Sequence, residues 1–148
     1  MLLACGVTLL SAAPAEKGKP MTHHASGTFE VKMEPIEGGR FARLAGTKQL
    51  HGDLEGTSAS EMMSIYGKVE GSGAYAAIEV VTGTLGGRKG SFALVHSGTM
   101  RRGGDYRMII RVVPDSGTEE LTGIDGTLEI VIENGKHFYK LDYTLPAE

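Results

Sequence analysis

Residues 81–100, VTGTLGGRKGSFALVHSGTM, place two runs of alternating side chains on either side of Gly86-Gly87-Arg88-Lys89-Gly90. A two-residue period sends successive side chains to opposite faces of a strand, and a glycine cluster between two such runs makes an antiparallel hairpin. Phe92, Leu94, His96 and Met100 share one face of the second run, so a histidine is expected among apolar neighbours. A chain built of such units folds as sheet, and the rest of the sequence keeps the pattern.

From Ala25 onward the apolar spacing is two rather than 3.6, and no segment reads as an amphipathic helix. Phe29, Val31 and Met33 alternate with Thr28, Glu30 and Lys32 in a first strand over Ala25 to Met33, which Pro35 to Gly39 ends. A second strand is expected from Phe41 to about Leu50, with a bulge near Gly46. The third, punctuated by Gly52 and Gly56, runs to Tyr66, although Glu61 to Ser64 is also compatible with one helical turn. Strands are then expected over Ala74 to Leu85, Ser91 to Met100, Tyr106 to Val113, Ile124 to Glu133 and His137 to Leu145. Asn134-Gly135 is the sharpest hairpin signal, because a type I′ turn requires positive φ at both central positions. Eight strands joined mostly by short turns predict an all-β protein, a closed antiparallel meander barrel. Closure removes the exposed edges an open sheet would carry, and eight strands leave room inside for packed side chains or one small ligand.

The chain has 148 residues, enough for one domain with a sizeable core. Its 22 glycines are scattered among β-formers, which suits tight turns and sharply bent strands. A net charge of −3 with interspersed signs gives no basic stripe, so a nucleic-acid partner is not expected. Residues 1–24 are read as a signal-like leader and linker, and residues 25–148 as the barrel domain. Leu2 to Ala15 is apolar and ends in Ala13-Pro14-Ala15, a small-x-small cleavage pattern without a basic n-region. Leu2-Leu3-Ala4-Cys5 is similar to a lipoprotein processing site, but the residues after Cys5 stay apolar, so cleavage near Ala15 is preferred. A start-site error is the remaining alternative. The protein is expected to be exported, to the periplasm or beyond, if the leader is real, and cytoplasmic otherwise. No second segment is long and apolar enough to span a bilayer as a helix.

Polar residues on apolar faces are the candidates for ligand binding: His96, Glu79, Tyr75, Tyr139 and Tyr143. A buried neutral imidazole at His96 can serve as base, acid or hydrogen-bond donor, and the structural alternative is a core histidine satisfied by a neighbour. Strand tyrosines can orient a carbonyl or enolate oxygen, or simply fill a half-buried face. Glu79, in Ala77-Ile78-Glu79-Val80-Val81, can face either way; turned inward, desolvation is expected to raise its pKa. No metal or cofactor is expected, since His23-His24, His51, His96 and His137 show no ligand spacing. Asp115-Ser116-Gly117-Thr118 follows Pro114 and precedes a strand-like segment, so it reads as a turn rather than a nucleophile elbow. The glycines near Gly71 and Gly83 are not phosphate loops, because no helix start follows them.

Several motifs in fixed order carry a family resemblance. They are Gly27-Thr28-Phe29, Gly52-Asp53-Leu54-Glu55-Gly56-Thr57-Ser58, and Gly83-Thr84-Leu85-Gly86-Gly87-Arg88-x-Gly90-Ser91-Phe92. His96-x-Gly98-Thr99, Ser116-Gly117-Thr118, Leu121-x-Gly123-Ile124-x-Gly126 and His137-x-Tyr139-x-Leu141-x-Tyr143-x-Leu145 complete the set. Over Ala25 to Pro146 the chain resembles an uncharacterised bacterial family, domain of unknown function 3224. The resemblance implies a barrel of the allene oxide cyclase and dirigent-protein kind, and a homo-oligomer. Cyclases on this barrel bind apolar substrates inside it, but their catalytic motifs are not recognisable here, so no catalytic residue is carried over. The leader departs from the pattern of typical members. The expected function is binding of a small apolar ligand in the barrel interior, with enzymatic activity left open. The alternatives are a cyclase or isomerase acting on an unsaturated or polyketide-like substrate, and a structural oligomer-forming module with a filled core.

Overall fold

The computed structural model describes residues 20–147. The expected leader, with Cys5 and the cleavage pattern at Ala15, lies outside the described residues. Eight strands follow one another: β1 (Thr22–Ile36), β2 (Ala42–Gly52), β3 (Leu54–Tyr66), β4 (Gly73–Leu85), β5 (Arg88–Arg101), β6 (Asp105–Val112), β7 (Asp125–Glu133) and β8 (Lys136–Thr144). Each pairs antiparallel with the next, and β8 returns to β1 from Thr22 opposite Thr144 to Phe29 opposite His137, closing the barrel. The all-β meander expected from the two-residue period is the fold observed. Strand β1 begins ahead of Ala25, taking His23 and His24 into the sheet, where His24 Nδ1 lies 2.6 Å from Asp142 Oδ1. No helix among the described residues is long and apolar enough to cross a membrane.

Turn chemistry sets the register. Leu85 pairs with Arg88 across the two-residue turn Gly86-Gly87, whose φ values are 56° and 85°. Glu133 pairs with Lys136 across Asn134-Gly135, with φ of 51° and 74°, the positive pair that a type I′ turn demands. Two sequence expectations need correction. There is no bulge at Gly46: it pairs with Met33 on one side and Ser60 on the other in unbroken register. A side chain there would strike Ser60 Oγ at 2.5 Å and Met33 Sδ at 2.8 Å, so the glycine makes room for inward side chains rather than adding a residue. Glu61 to Ser64 is strand throughout, held on both sides by β2 and β4, which overrides any local helical preference.

The two ends of the barrel differ. At one end Leu54, Val81, Leu85, Phe92, Leu94, Val112 and Leu141 fill the interior. The long β6–β7 connection folds over that end through a single 3-10 turn, Glu119–Leu121, and buries Leu121 and Ile124. Ser116 and Thr118 strap it to β5: Ala93 N–H donates to Ser116 Oγ (3.0 Å), Ser116 Oγ donates to the Val113 carbonyl (2.6 Å), and Ser91 N–H donates to Thr118 Oγ1 (2.9 Å). Ser116 therefore serves the turn, as its sequence context implied. The opposite end, where the β1–β2, β3–β4, β5–β6 and β7–β8 hairpins lie, has no such plug among the described residues.

Candidate functional site

Period-two alternation turns Lys48, Ser58, Glu79 and His96 inward from four successive strands. Lys48 lies directly opposite Ser58, while Ser60 lies opposite Glu79 and Ala77 opposite His96, so from Ser58 the cluster steps diagonally across β3, β4 and β5. Diagonal neighbours on one face of a sheet are within reach of long side chains. They converge on the Glu79 carboxylate, which is 1% exposed. Ser58 Oγ donates to Oε1 at 2.5 Å, and Lys48 Nζ donates to Oε2 at 2.7 Å. His96 Nε2 stands 2.9 Å from the same Oε2, close enough for attraction, yet no hydrogen bond of acceptable geometry satisfies that buried nitrogen. Lys48 Nζ also lies 4.9 Å from the centroid of the Phe29 ring, a cation–π contact.

Glu79 thus faces inward, and the expectation attached to that orientation is reversed. Burial alone pushes its carboxyl up, but the His96 imidazole, the Lys48 ammonium and the Ser58 hydroxyl outweigh burial and hold it down to about 2. Lys48 and Ser58, aligned as donors, carry the stronger part of that argument, because the His96 contact lacks hydrogen-bond alignment. Such a carboxylate stays ionised at neutral pH with both oxygens engaged. It orients its neighbours rather than waiting for a proton.

The cluster lies in the wall of a cavity of about 570 Å³ inside the unplugged half of the barrel. Phe29, Val31, Met33, Met62, Met100, Met108 and Ile130 supply the apolar surface, with Tyr66, Tyr75, Tyr106 and His137 nearer the hairpin ends. Methionine is unbranched and polarizable, so a wall rich in it adapts to the shape of an occupant. Tyr75 pairs with Gly98, and a Cβ there would sit 2.2 Å from the ring's Cε1, so the glycine lets the phenol lie flat along β5. Burial first, and a hydrogen bond with Tyr106 second, push the Tyr75 phenol well above its ordinary range. Larger concavities of about 940 and 670 Å³ lie largely among outward-facing side chains of the barrel wall. Among the described residues no three His, Cys, Asp or Glu side chains gather as a metal site.

Of the five sequence candidates, the structure brings His96, Glu79 and Tyr75 to the cavity. Tyr139 and Tyr143 belong to the packed half. The Tyr139 hydroxyl accepts from Leu54 N–H at 2.9 Å and lies 3.2 Å from the His51 carbonyl, ties that close the barrel floor. Tyr143 stacks on His23 with ring centroids 5.2 Å apart. Sequence reasoning missed Lys48 and Ser58. The signal for Lys48 was its place between Gly46 and Leu50 at the two-residue period, which the expected bulge obscured.

The fold and this interior define a class: a closed eight-stranded antiparallel barrel, solid at one end and hollow at the other. The chain belongs to the family described as protein of unknown function (DUF3224), which it matches over residues 25–143. It is similar to the crystal structure of a DUF3224 protein of unknown function from Shewanella oneidensis MR-1, at 41% identity and a TM-score of 0.81. That similarity covers 86% of this chain and 100% of the other. No curated protein matches the chain.

Proposed function

We propose that the protein binds a small apolar ligand in the hollow half of its barrel. The observation that carries this reading is the cavity of about 570 Å³, walled by methionine, aliphatic and aromatic side chains around one buried polar cluster. That volume lies within the range of small-molecule sites, and the balance of many apolar walls with few convergent polar groups is their usual composition. A filled structural core is the less favoured reading, because this half of the interior is not packed. Ala77, small and 8% exposed, faces the cavity from β4. Ala77→Phe should occupy the space and weaken binding of the neutral fluorophore N-phenyl-1-naphthylamine at least tenfold, with the circular dichroism spectrum kept. Unchanged fluorophore binding in that variant would sink the proposal.

A second reading, a cyclase or isomerase, draws support from the His96 imidazole set against an ionised carboxylate inside the same cavity. On that reading His96→Ala abolishes turnover of the bound compound while its retention, followed by native mass spectrometry, persists. Turnover that survives the substitution excludes His96 as the reacting group.

A further inference from the structure

We infer that the ligand presents a neutral carbonyl oxygen to Lys48 and His96, so that the site takes apolar ketones, aldehydes or esters in preference to hydrocarbons and carboxylates. This rests on the ligand-binding reading of the cavity and names the head group that the cavity would read.

At the buried end of the polar wall the donors are less fully used than the carboxylate, each of whose oxygens already holds a partner. An ammonium carries three N–H groups. One of those on Lys48 goes to Glu79 Oε2, its charge faces the Phe29 ring, and it makes no other hydrogen bond among the described residues. His96 Nε2 is buried and lacks a hydrogen bond, an arrangement that costs stability until some partner completes it. Glu79, the one carboxylate in this wall, already accepts from Ser58 at Oε1 and from Lys48 at Oε2, so a donating ligand would compete with partners in place. The Lys48 and His96 nitrogens lie 2.7 and 2.9 Å from the same Glu79 oxygen, so a ligand oxygen that reaches one comes close to the other.

Charge decides between a carbonyl and a carboxylate. The ionised Glu79 already offsets the Lys48 ammonium, so Lys48 offers no uncompensated positive charge to an anion. A second carboxylate would enter beside the first in a largely desolvated wall, where like charges repel strongly. A carbonyl takes the free donors without adding charge.

Valerophenone and pentylbenzene test this directly, because they share one skeleton and differ by C=O against CH2. With 5-phenylpentanoate as the anionic arm, each is titrated by displacement of N-phenyl-1-naphthylamine at pH 8. The comparison protein is the double variant Lys48→Met, Glu79→Met, which removes the charge pair together and so avoids a lone buried charge. Losing a hydrogen bond from a charged donor should weaken valerophenone roughly tenfold or more, and leave pentylbenzene within about twofold. The anion should bind the native protein more weakly than the ketone. In the native protein the infrared C=O stretch of bound valerophenone should also fall below its value in hexane, a readout that does not require the variant to fold. A ketone whose affinity tracks the hydrocarbon, or whose stretch stays at the hexane value, overturns the head-group assignment while the cavity stands. Tighter binding of 5-phenylpentanoate overturns the preference for a neutral ligand. If neither pentylbenzene nor valerophenone displaces the fluorophore, the cavity reading itself fails, and this inference with it.

Discussion

At the scale of single residues, Glu79 ties the stability of the fold to pH. Its carboxyl is held at about 2 in the fold against an ordinary 4.5. A group whose pKa falls on folding stabilises the protein fully above the unfolded value and loses that contribution as pH drops toward the folded one. The expected window of loss therefore runs from about pH 5 down to about pH 2, with a magnitude on the order of 3 kcal/mol at most. Urea unfolding across this range should show native stability declining faster than that of the Lys48→Met, Glu79→Met protein, which has no such group. Parallel declines would show that other carboxylates account for the acid sensitivity. The same residue marks a limit of sequence reading. The otherwise unbroken apolar run Ala77-Ile78-Glu79-Val80-Val81 left the face of Glu79 open, and the sign of its pKa shift was not legible at all. The partners that set the sign come from β2, β3 and β5, and only the register brings them together.

At the scale of elements, the two-residue period and the turn glycines made the architecture legible. Gly86-Gly87 and Asn134-Gly135 adopt the positive φ values that their hairpins need, and these local demands are written in residue type. The failures came where a local signal has two meanings. Gly46 suggested a bulge because glycine is common at bulges, yet here its missing side chain leaves space for Ser60 and Met33. Glycine for conformation and glycine for clearance look alike in sequence, and only a neighbouring strand distinguishes them. Gly56 and Gly83 show clearance most plainly, since they are register partners and a Cβ on either would meet the opposing backbone within 3 Å. The Glu119–Leu121 turn went unread for another reason. Three residues are too few to show helical periodicity, and what fixes the turn is burial of Leu121 under the barrel end.

At the scale of the whole molecule, the packed core and the proposed ligand cavity occupy opposite ends of one barrel. The sequence held the parts of the site, with His96, Glu79 and Tyr75 visible as polar residues on apolar strands. It did not hold the division into a solid and a hollow half, because every strand contributes to both and alternates identically throughout. What divides them is the β6–β7 connection, which sends Leu121 and Ile124 over one end only. Leu121 is 0% exposed and makes the consequence measurable. Leu121→Ala removes a buried side chain and leaves a cavity beneath the strap, at an expected cost of about 2–5 kcal/mol in chemical denaturation. The proposed ligand cavity lies toward the other end, and Leu121 is not among the residues that line it. The dissociation constant for N-phenyl-1-naphthylamine should therefore stay within about twofold of native under conditions where the variant remains folded, since sites without shared partners act nearly independently. A large loss of affinity together with the loss of stability would mean that the two ends respond as one unit, and that the plug shapes the cavity through the strands that run between them.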